Sequence, residues 1–147
     1  MTPEMTDTER RAIEWDCERL IRRYVNLNDA QDWAAVAALY TPEARFARPS
    51  RPGEFIEGRE AILASFTARP PRAQRHVIAN TVVAVEDADH ARAFSVIVLF
   101  MGDTPEDGGL PTMDGKSPLV GTFTDRLVRT SEGWRFAERV GGLDFRP

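Results

Sequence analysis

An aspartate and a histidine, far apart along the chain, carry the strongest chemical signal in this sequence. Asp29 stands in Tyr-Val-Asn-Leu-Asn-Asp-Ala-Gln-Asp-Trp (Tyr24–Trp33) and His76 in Gln-Arg-His-Val-Ile-Ala-Asn (Gln74–Asn80). Imidazole is the one side chain whose unperturbed pKa lies near neutrality, and a carboxylate beside it fixes its tautomer and strengthens it as a base. Brought together by the fold, the two would form a proton-transfer site. Each also has a plain structural reading. His76 can be a buried histidine satisfied by a carbonyl or a nearby acid. Asp29, three residues before Asp32, can belong to a capping arrangement at the start of a helix.

Other residues could complete such a site. Asn80 is on the same side of a regular strand as His76 and Ile78, and could donate to a substrate carbonyl or bridge strands. Arg139 could attract a carboxylate or stabilise an enolate, or else pair with Asp125 on the preceding strand. Tyr24 lies five residues before Asp29 and does not share its face on an ideal helix, so their convergence requires the helix to end between them. Without that it is a core aromatic whose hydroxyl seeks any partner. His90, beside Asp87 and Asp89 in a turn, should face solvent, and Cys17 reads as a small core residue. Trp15, Trp33 and Trp134 read as core or interface aromatics. The sequence contains no glycine-rich phosphate cradle, His-x3-His pair or nucleophile elbow, so nucleotide, metal and serine-hydrolase chemistry have no support and no cofactor is implied.

The positioning elements follow from periodicity. From Asp7 to about Asn28, Ile13, Cys17, Leu20, Ile21, Tyr24 and Leu27 recur at helical spacing. A second helix is predicted over Trp33–Tyr40, capped by Asp32 and ended by Thr41-Pro42, and a third over Glu60–Thr67, stopped by Arg69-Pro70-Pro71. A short strand fits Ala44–Ala47. Beyond the helices, Arg75–Glu86, Ala91–Met101, Leu119–Thr130 and Trp134–Val140 are rich in Val, Ile, Phe and Thr and are separated by turn-prone residues. The expected class is α+β, with helices followed by a curved antiparallel sheet. The long Gly-, Pro- and Asp-rich segment Asp103–Pro118 reads as a mobile hairpin loop; its rival reading is a lid over the site.

Length and charge set outer limits. The chain has 147 residues, a net charge of -4 and one cysteine. A single domain over residues 1–147, with a flexible start at about 1–8, is expected. The acidic balance argues against nucleic-acid or anionic-membrane partners. One cysteine rules out an intrachain disulfide, and with no apolar leader in the sequence a cytoplasmic setting is expected. Apolar residues on both faces of Leu119–Val128 and Trp134–Val140 point to a homo-oligomer, dimer or trimer, through the outer face of the sheet.

The order Trp-x5-Leu-Tyr (Trp33–Tyr40), Ile-Glu-Gly-Arg-Glu-Ala-Ile (Ile56–Ile62), Arg-His-x3-Asn (Arg75–Asn80) and Gly-Trp-Arg-Phe (Gly133–Phe136) resembles the SnoaL-like branch of the nuclear transport factor 2-like superfamily. The resemblance implies a cone-shaped curved sheet wrapped on three N-terminal helices, with an apolar pocket at its open end. Within that superfamily Asp29 and His76 look like the dyad of scytalone dehydratase and of hexachlorocyclohexane dehydrochlorinase. Tyr24, Asp29, His76 and Arg139 are spaced similarly to the tyrosine, aspartate, histidine and arginine of bile-acid 7-alpha-dehydratases. The likeness implies catalytic roles for His76, Asp29 and Tyr24, and substrate-binding roles for Asn80 and Arg139. The strand Phe94–Met101 departs from these enzymes: apart from Ser95 it is apolar, where they carry a second histidine or an aspartate. The ketosteroid isomerase pattern and the Asp-Arg-Asp arrangement of limonene epoxide hydrolases fit less well for the same reason. The implied function is a cofactor-independent dehydratase-like lyase or isomerase for a small hydrophobic cyclic molecule. The alternative is a non-catalytic ligand-binding protein or small subunit resembling the beta subunits of ring-hydroxylating dioxygenases.

Overall fold

A computed structural model describes residues 3–147. Helix α1 (Asp7–Asp29) begins at a capping box: Glu9 N–H donates to the Thr6 hydroxyl and Thr6 N–H to the Glu9 carboxylate, which satisfies two otherwise orphaned donors. Residues 1–2 of the expected flexible start lie outside the described residues. Met5 packs on the core and residues 7–8 are already helical. The apolar face of α1 buries Ile13, Cys17, Leu20, Ile21, Tyr24 and Val25. Each aliphatic side chain so buried contributes about 1.5–3 kcal/mol before entropy is counted.

Helix α2 (Trp33–Ala37) starts where expected, with Asp32 accepting from Ala35 N–H, but stops three residues before Tyr40. Tyr40 instead opens strand β1 (Tyr40–Ala47), drawn into the sheet opposite Phe136. A short strand β2 (Phe55–Glu57) returns along β1 and leads through Gly58, at φ 94°, into helix α3 (Arg59–Thr67). Arg59 locks α3 to β1 by donating from both Nε and Nη2 to the Tyr40 carbonyl.

The remaining strands are β3 (Ala73–Val85), β4 (His90–Asp103), β5 (Thr112–Met113), β6 (Leu119–Thr130) and β7 (Gly133–Leu143). The sheet runs β2-β1-β7-β6-β4-β3, with β5 added to β4. It is curved and unclosed, and it is mixed: β1 lies parallel to β7, while the other pairs are antiparallel. This corrects the all-antiparallel expectation. Adjacent hairpin strands must reverse direction, but β1 and β7 come from opposite ends of the chain, and periodicity carries no information on their direction.

Two irregularities shape the sheet around the site. A bulge interrupts β3 between Ala79 and Val82, with Asn80 at φ 52°, so the inward phase shifts from His76 and Ile78 to Thr81, Val83 and Val85. On β7, a Cβ at Gly141 would meet Pro49 at 2.6 Å, so this position must stay a glycine for the 48–50 segment to close over the inner face of the sheet. The narrow part of the interior is filled by Ile13, Cys17, Ile21, Ala91, Leu127 and Phe136. The other end is left hollow.

Candidate active site

The hollow is a cavity of about 340 Å³, within the usual range for small-molecule sites. Tyr24 and Asn28, one helical turn apart on α1, form one wall. Gln74 and His76 from β3, Ile97, Leu99 and Met101 from β4, and Leu119, Gly121 and Phe123 from β6 supply the inner face of the sheet. Trp33, Phe46, Phe66 and the loop residues Arg48, Pro49, Arg69 and Arg72 complete the rim. Larger surface hollows, such as one of about 730 Å³ beside Arg19 and Arg23, are more open and contain no histidine.

Asp29 and His76 meet. Asp29 Oδ1 is 2.5 Å from His76 Nδ1, and its Oδ2 accepts the His76 backbone N–H at 2.8 Å. Asp29 is the last residue of α1, where the helix end projects toward the start of β3. Its side chain is 3% exposed and that of His76 11%. An ionised carboxylate only accepts, so the Nδ1 facing it is the donor, which in the neutral tautomer of the ring leaves the lone pair on Nε2. His76 lines the cavity, while Asp29 lies behind it and does not. The arrangement yields an oriented base next to an apolar space.

Tyr24 reaches the cavity by a different route from the one its spacing suggested. Helix α1 does not end between Tyr24 and Asp29; it continues through both. Convergence comes from β3, which brings His76 across from Asp29 to the wall that Tyr24 shares. The Tyr24 hydroxyl is 2.7 Å from that of Tyr40, which lies outside the cavity lining. Burial raises the Tyr24 pKa against the opposing pull of the Arg139 cation, so the group stays a phenol.

The two expected substrate-binding residues are elsewhere. Asn80 is exposed at the β3 bulge and does not line the cavity, because the extra residue breaks the alternation that would have set it beside His76. Arg139 is wholly buried, with Nε 2.9 Å and Nη2 3.3 Å from the two oxygens of Asp125, its direct neighbour across β6 and β7. Its guanidinium also lies over the rings of Phe123, Tyr24 and Phe136 at 3.8–4.5 Å. Burial is the largest influence and works against this charge, but the Asp125 carboxylate together with Tyr24 and Tyr40 lifts the Arg139 pKa. Arg139 therefore braces the ring of Tyr24 from outside the cavity.

Residues 9–140 match the family model of the SnoaL-like domain. The chain belongs to this family. No curated protein sequence matches it. Among solved structures it is similar to a candidate scytalone dehydratase from Novosphingobium aromaticivorans (TM-score 0.79, 21% identity, 96% of this chain and 89% of the other). A nuclear transport factor 2-like protein with a cystatin-like fold from the same organism is also similar (TM-score 0.76, 23% identity, 100% and 94%). So is a candidate aromatic ring hydroxylase from that organism (TM-score 0.75, 20% identity, 97% and 94%). At these identities the likeness is one of fold. Among the described residues, no helix is long and apolar enough to cross a membrane.

Within this SnoaL-like domain, Asn28 and Gln74 were not anticipated as site residues. Gln74 Nε2 donates to both the carbonyl and the side-chain oxygen of Asn28, tying α1 to β3 beside the dyad. Their signal was present: Asn28 is four residues after Tyr24, and Gln74 two before His76. Arg48 and Arg69 had no such signal, since both come from irregular segments. The Asp103–Pro118 segment contributes no cavity-lining residue. Its second half is anchored by the β5 pairing, by Asp114 to Arg72, and by Ser117 to the backbone of Met101.

Proposed function

We propose that this protein is a cofactor-independent lyase of dehydratase type, or an isomerase, acting on a small hydrophobic cyclic substrate. The observation that carries the reading is the double grip of Asp29 on His76, on ring and backbone together, at the wall of the cavity. Nε2 of His76 takes a proton from the carbon next to an activating carbonyl. Asp29 balances the imidazolium that results. With Tyr40 donating to Tyr24, the Tyr24 proton is free to stabilise the oxyanion forming on the substrate. The imidazolium then returns the proton, either to a departing hydroxide, which leaves as water, or to a second carbon, which shifts the double bond. Asn80 and Arg139 have no substrate contact in this scheme.

The test is a panel of cyclic hydroxy-carbonyl compounds incubated in D2O and followed by NMR, which detects both elimination and exchange at the activated carbon. His76→Ala should slow whatever reaction the wild type performs by about 10²- to 10⁴-fold while leaving the fold intact. Undiminished turnover in that variant ends the reading. A second reading, a non-catalytic ligand-binding protein or small subunit, draws support from the likeness to the candidate aromatic ring hydroxylase. Ligand binding with no turnover across the panel would favour it.

Assembly into a homo-oligomer belongs to the same proposal, although through different strands from those expected. On β6 the outward residues Thr124 and Arg126 are polar and exposed. On the neighbouring long strands, Val77 and Val82 of β3 and Phe94 of β4 are instead apolar and exposed, with Val82 and Phe94 directly paired. A second copy covering them would remove this surface from water. Light scattering at micromolar concentration should show a dimer or trimer, and Phe94→Glu should dissociate it; a wild-type monomer contradicts the proposal.

A further inference from the structure

The cavity wall carries positive charge with no acidic counterpart. Its charged residues are Arg48, Arg69 and Arg72, and no aspartate or glutamate lines it. Arg72 is neutralised from outside by Asp114. Among the described residues, Arg48 and Arg69 form no ion pair with any carboxylate. Arg48 makes one side-chain hydrogen bond, to the Ser65 carbonyl, and its Nε is buried with no partner. Among the described residues, Arg69 makes no side-chain hydrogen bond; its guanidinium lies over the ring of Phe66 at 4.4 Å. In a chain of net charge -4, two partly buried and unpaired cations at one rim stand out, because a desolvated charge is costly unless something compensates it.

We infer that the ligand of this cavity is an organic acid, whose carboxylate or comparable anionic group is held by Arg48 and Arg69 while its apolar ring body fills the space toward Leu99, Phe123 and His76. The inference rests on the proposed use of this cavity as the substrate site and narrows its substrate class. Guanidinium groups offer paired N–H donors matched to carboxylate oxygens, so a bound acid would supply the missing counter-charge. Burial, reinforced by the repulsion of Arg48, pushes the Arg69 pKa down to about 10. Its positive charge therefore persists at neutral pH but is held against the environment, as expected of a cation awaiting an anion. The cavity volume of about 340 Å³ admits a one- or two-ring molecule and little more.

The test compares acids with their neutral methyl esters, which keep shape and remove charge. Calorimetric titration of benzoate, cinnamate and 2-naphthoate against the corresponding esters should show at least one acid binding about tenfold or more tightly than its ester. Arg48→Gln and Arg69→Gln should each erode that preference, their combination should erase it, and Arg48→Lys with Arg69→Lys should retain part of it. His76→Ala should keep it. Equal binding of acid and ester by the wild type, no measurable binding of any acid, or a preference that survives the double glutamine variant would each overturn the inference. The wild-type comparison decides the matter even if the glutamine variants do not fold. The outcomes also separate this inference from the catalytic reading. Acid binding without His76-dependent turnover keeps the anion site and removes the catalysis, whereas His76-dependent turnover of neutral compounds alone does the reverse.

Discussion

His76 and His90 each have an aspartate within hydrogen-bond reach through Nδ1, at 2.5 and 2.9 Å, yet the two pairs occupy opposite environments. Asp29 and His76 come from different elements, and their side chains are 3% and 11% exposed. Asp87 in the β3–β4 turn and His90 at the start of β4 are three residues apart, with both side chains more than half exposed. The same two functional groups thus appear once as the wall of a cavity and once as a decoration of a turn. The difference is in what surrounds the pair: a largely apolar cavity beside the His76 ring, a second bond to Asp29 that fixes it, and room for a small molecule. His90 has none of these, and water competes for its partner. A third pair, Asp125 and Arg139, marks the limit beyond His76, being completely buried and so closed to any substrate.

The widest separation between these regions should appear in catalysis. His76→Ala removes the proposed base and should lower turnover by about 10²- to 10⁴-fold, while His90→Ala should leave it unchanged within error. Steady-state rates on any substrate found by the deuterium screen measure both. A comparable loss in both variants would mean that the cavity confers nothing and would erase the distinction.

Stability should rank the pairs differently. Asp125→Asn leaves the Arg139 charge buried without its counter-ion, which costs about 3–5 kcal/mol and should give a much lower urea midpoint. Asp29→Asn keeps an acceptor for the His76 backbone N–H, so its cost should stay within about 1–2 kcal/mol. Its effect on turnover should nevertheless be large, because an amide N–H facing Nδ1 forces the ring proton onto Nε2 and removes the lone pair that acts as base. If Asp29→Asn proved as destabilising as Asp125→Asn while sparing activity, Asp29 would be a structural residue.

These contrasts also explain what could be read from the residues alone. The helix α1 face, the Asp32 cap and the Val- and Phe-rich strands are set by local periodicity and local hydrogen bonding, and they were legible. The parallel direction of β1 was not, because it depends on contacts between the two ends of the chain. At the site, Asp29 and His76 were visible through residue type and family likeness. Asn80 was misplaced by a bulge that no pattern in Ile-Ala-Asn-Thr announces. Arg48 and Arg69 stayed hidden because irregular segments have no period from which to infer a facing direction. For Arg139, the competing ion pair with Asp125 could be named in advance, since strand neighbours follow from register, but choosing between it and the cavity required the fold.

The smallest effect belongs to the exposed pair and tests the comparison at its weaker end. The hydrogen bond and charge of Asp87 raise the His90 pKa above its ordinary value of about 6.5. Asp87 is in turn held below the carboxylate range, first by the Asp89 backbone N–H and then by His90. A histidine whose folded pKa is raised adds stability that is fully present below about 6.5 and is lost as pH rises through the folded value. The depressed Asp87 adds stability that is present above about 3.9 and is lost as pH falls through its own folded value. The pair therefore favours the fold at mildly acidic pH, but both groups face solvent and the gain should be invisible in a melting curve. A ring-proton NMR titration should resolve it: His90 should titrate above the free imidazole, and Asp87→Asn should bring its midpoint down while leaving the His76 signals in place. A His90 midpoint indifferent to Asp87→Asn would mean that solvent already screens the pair completely, so that burial alone would distinguish the two histidines.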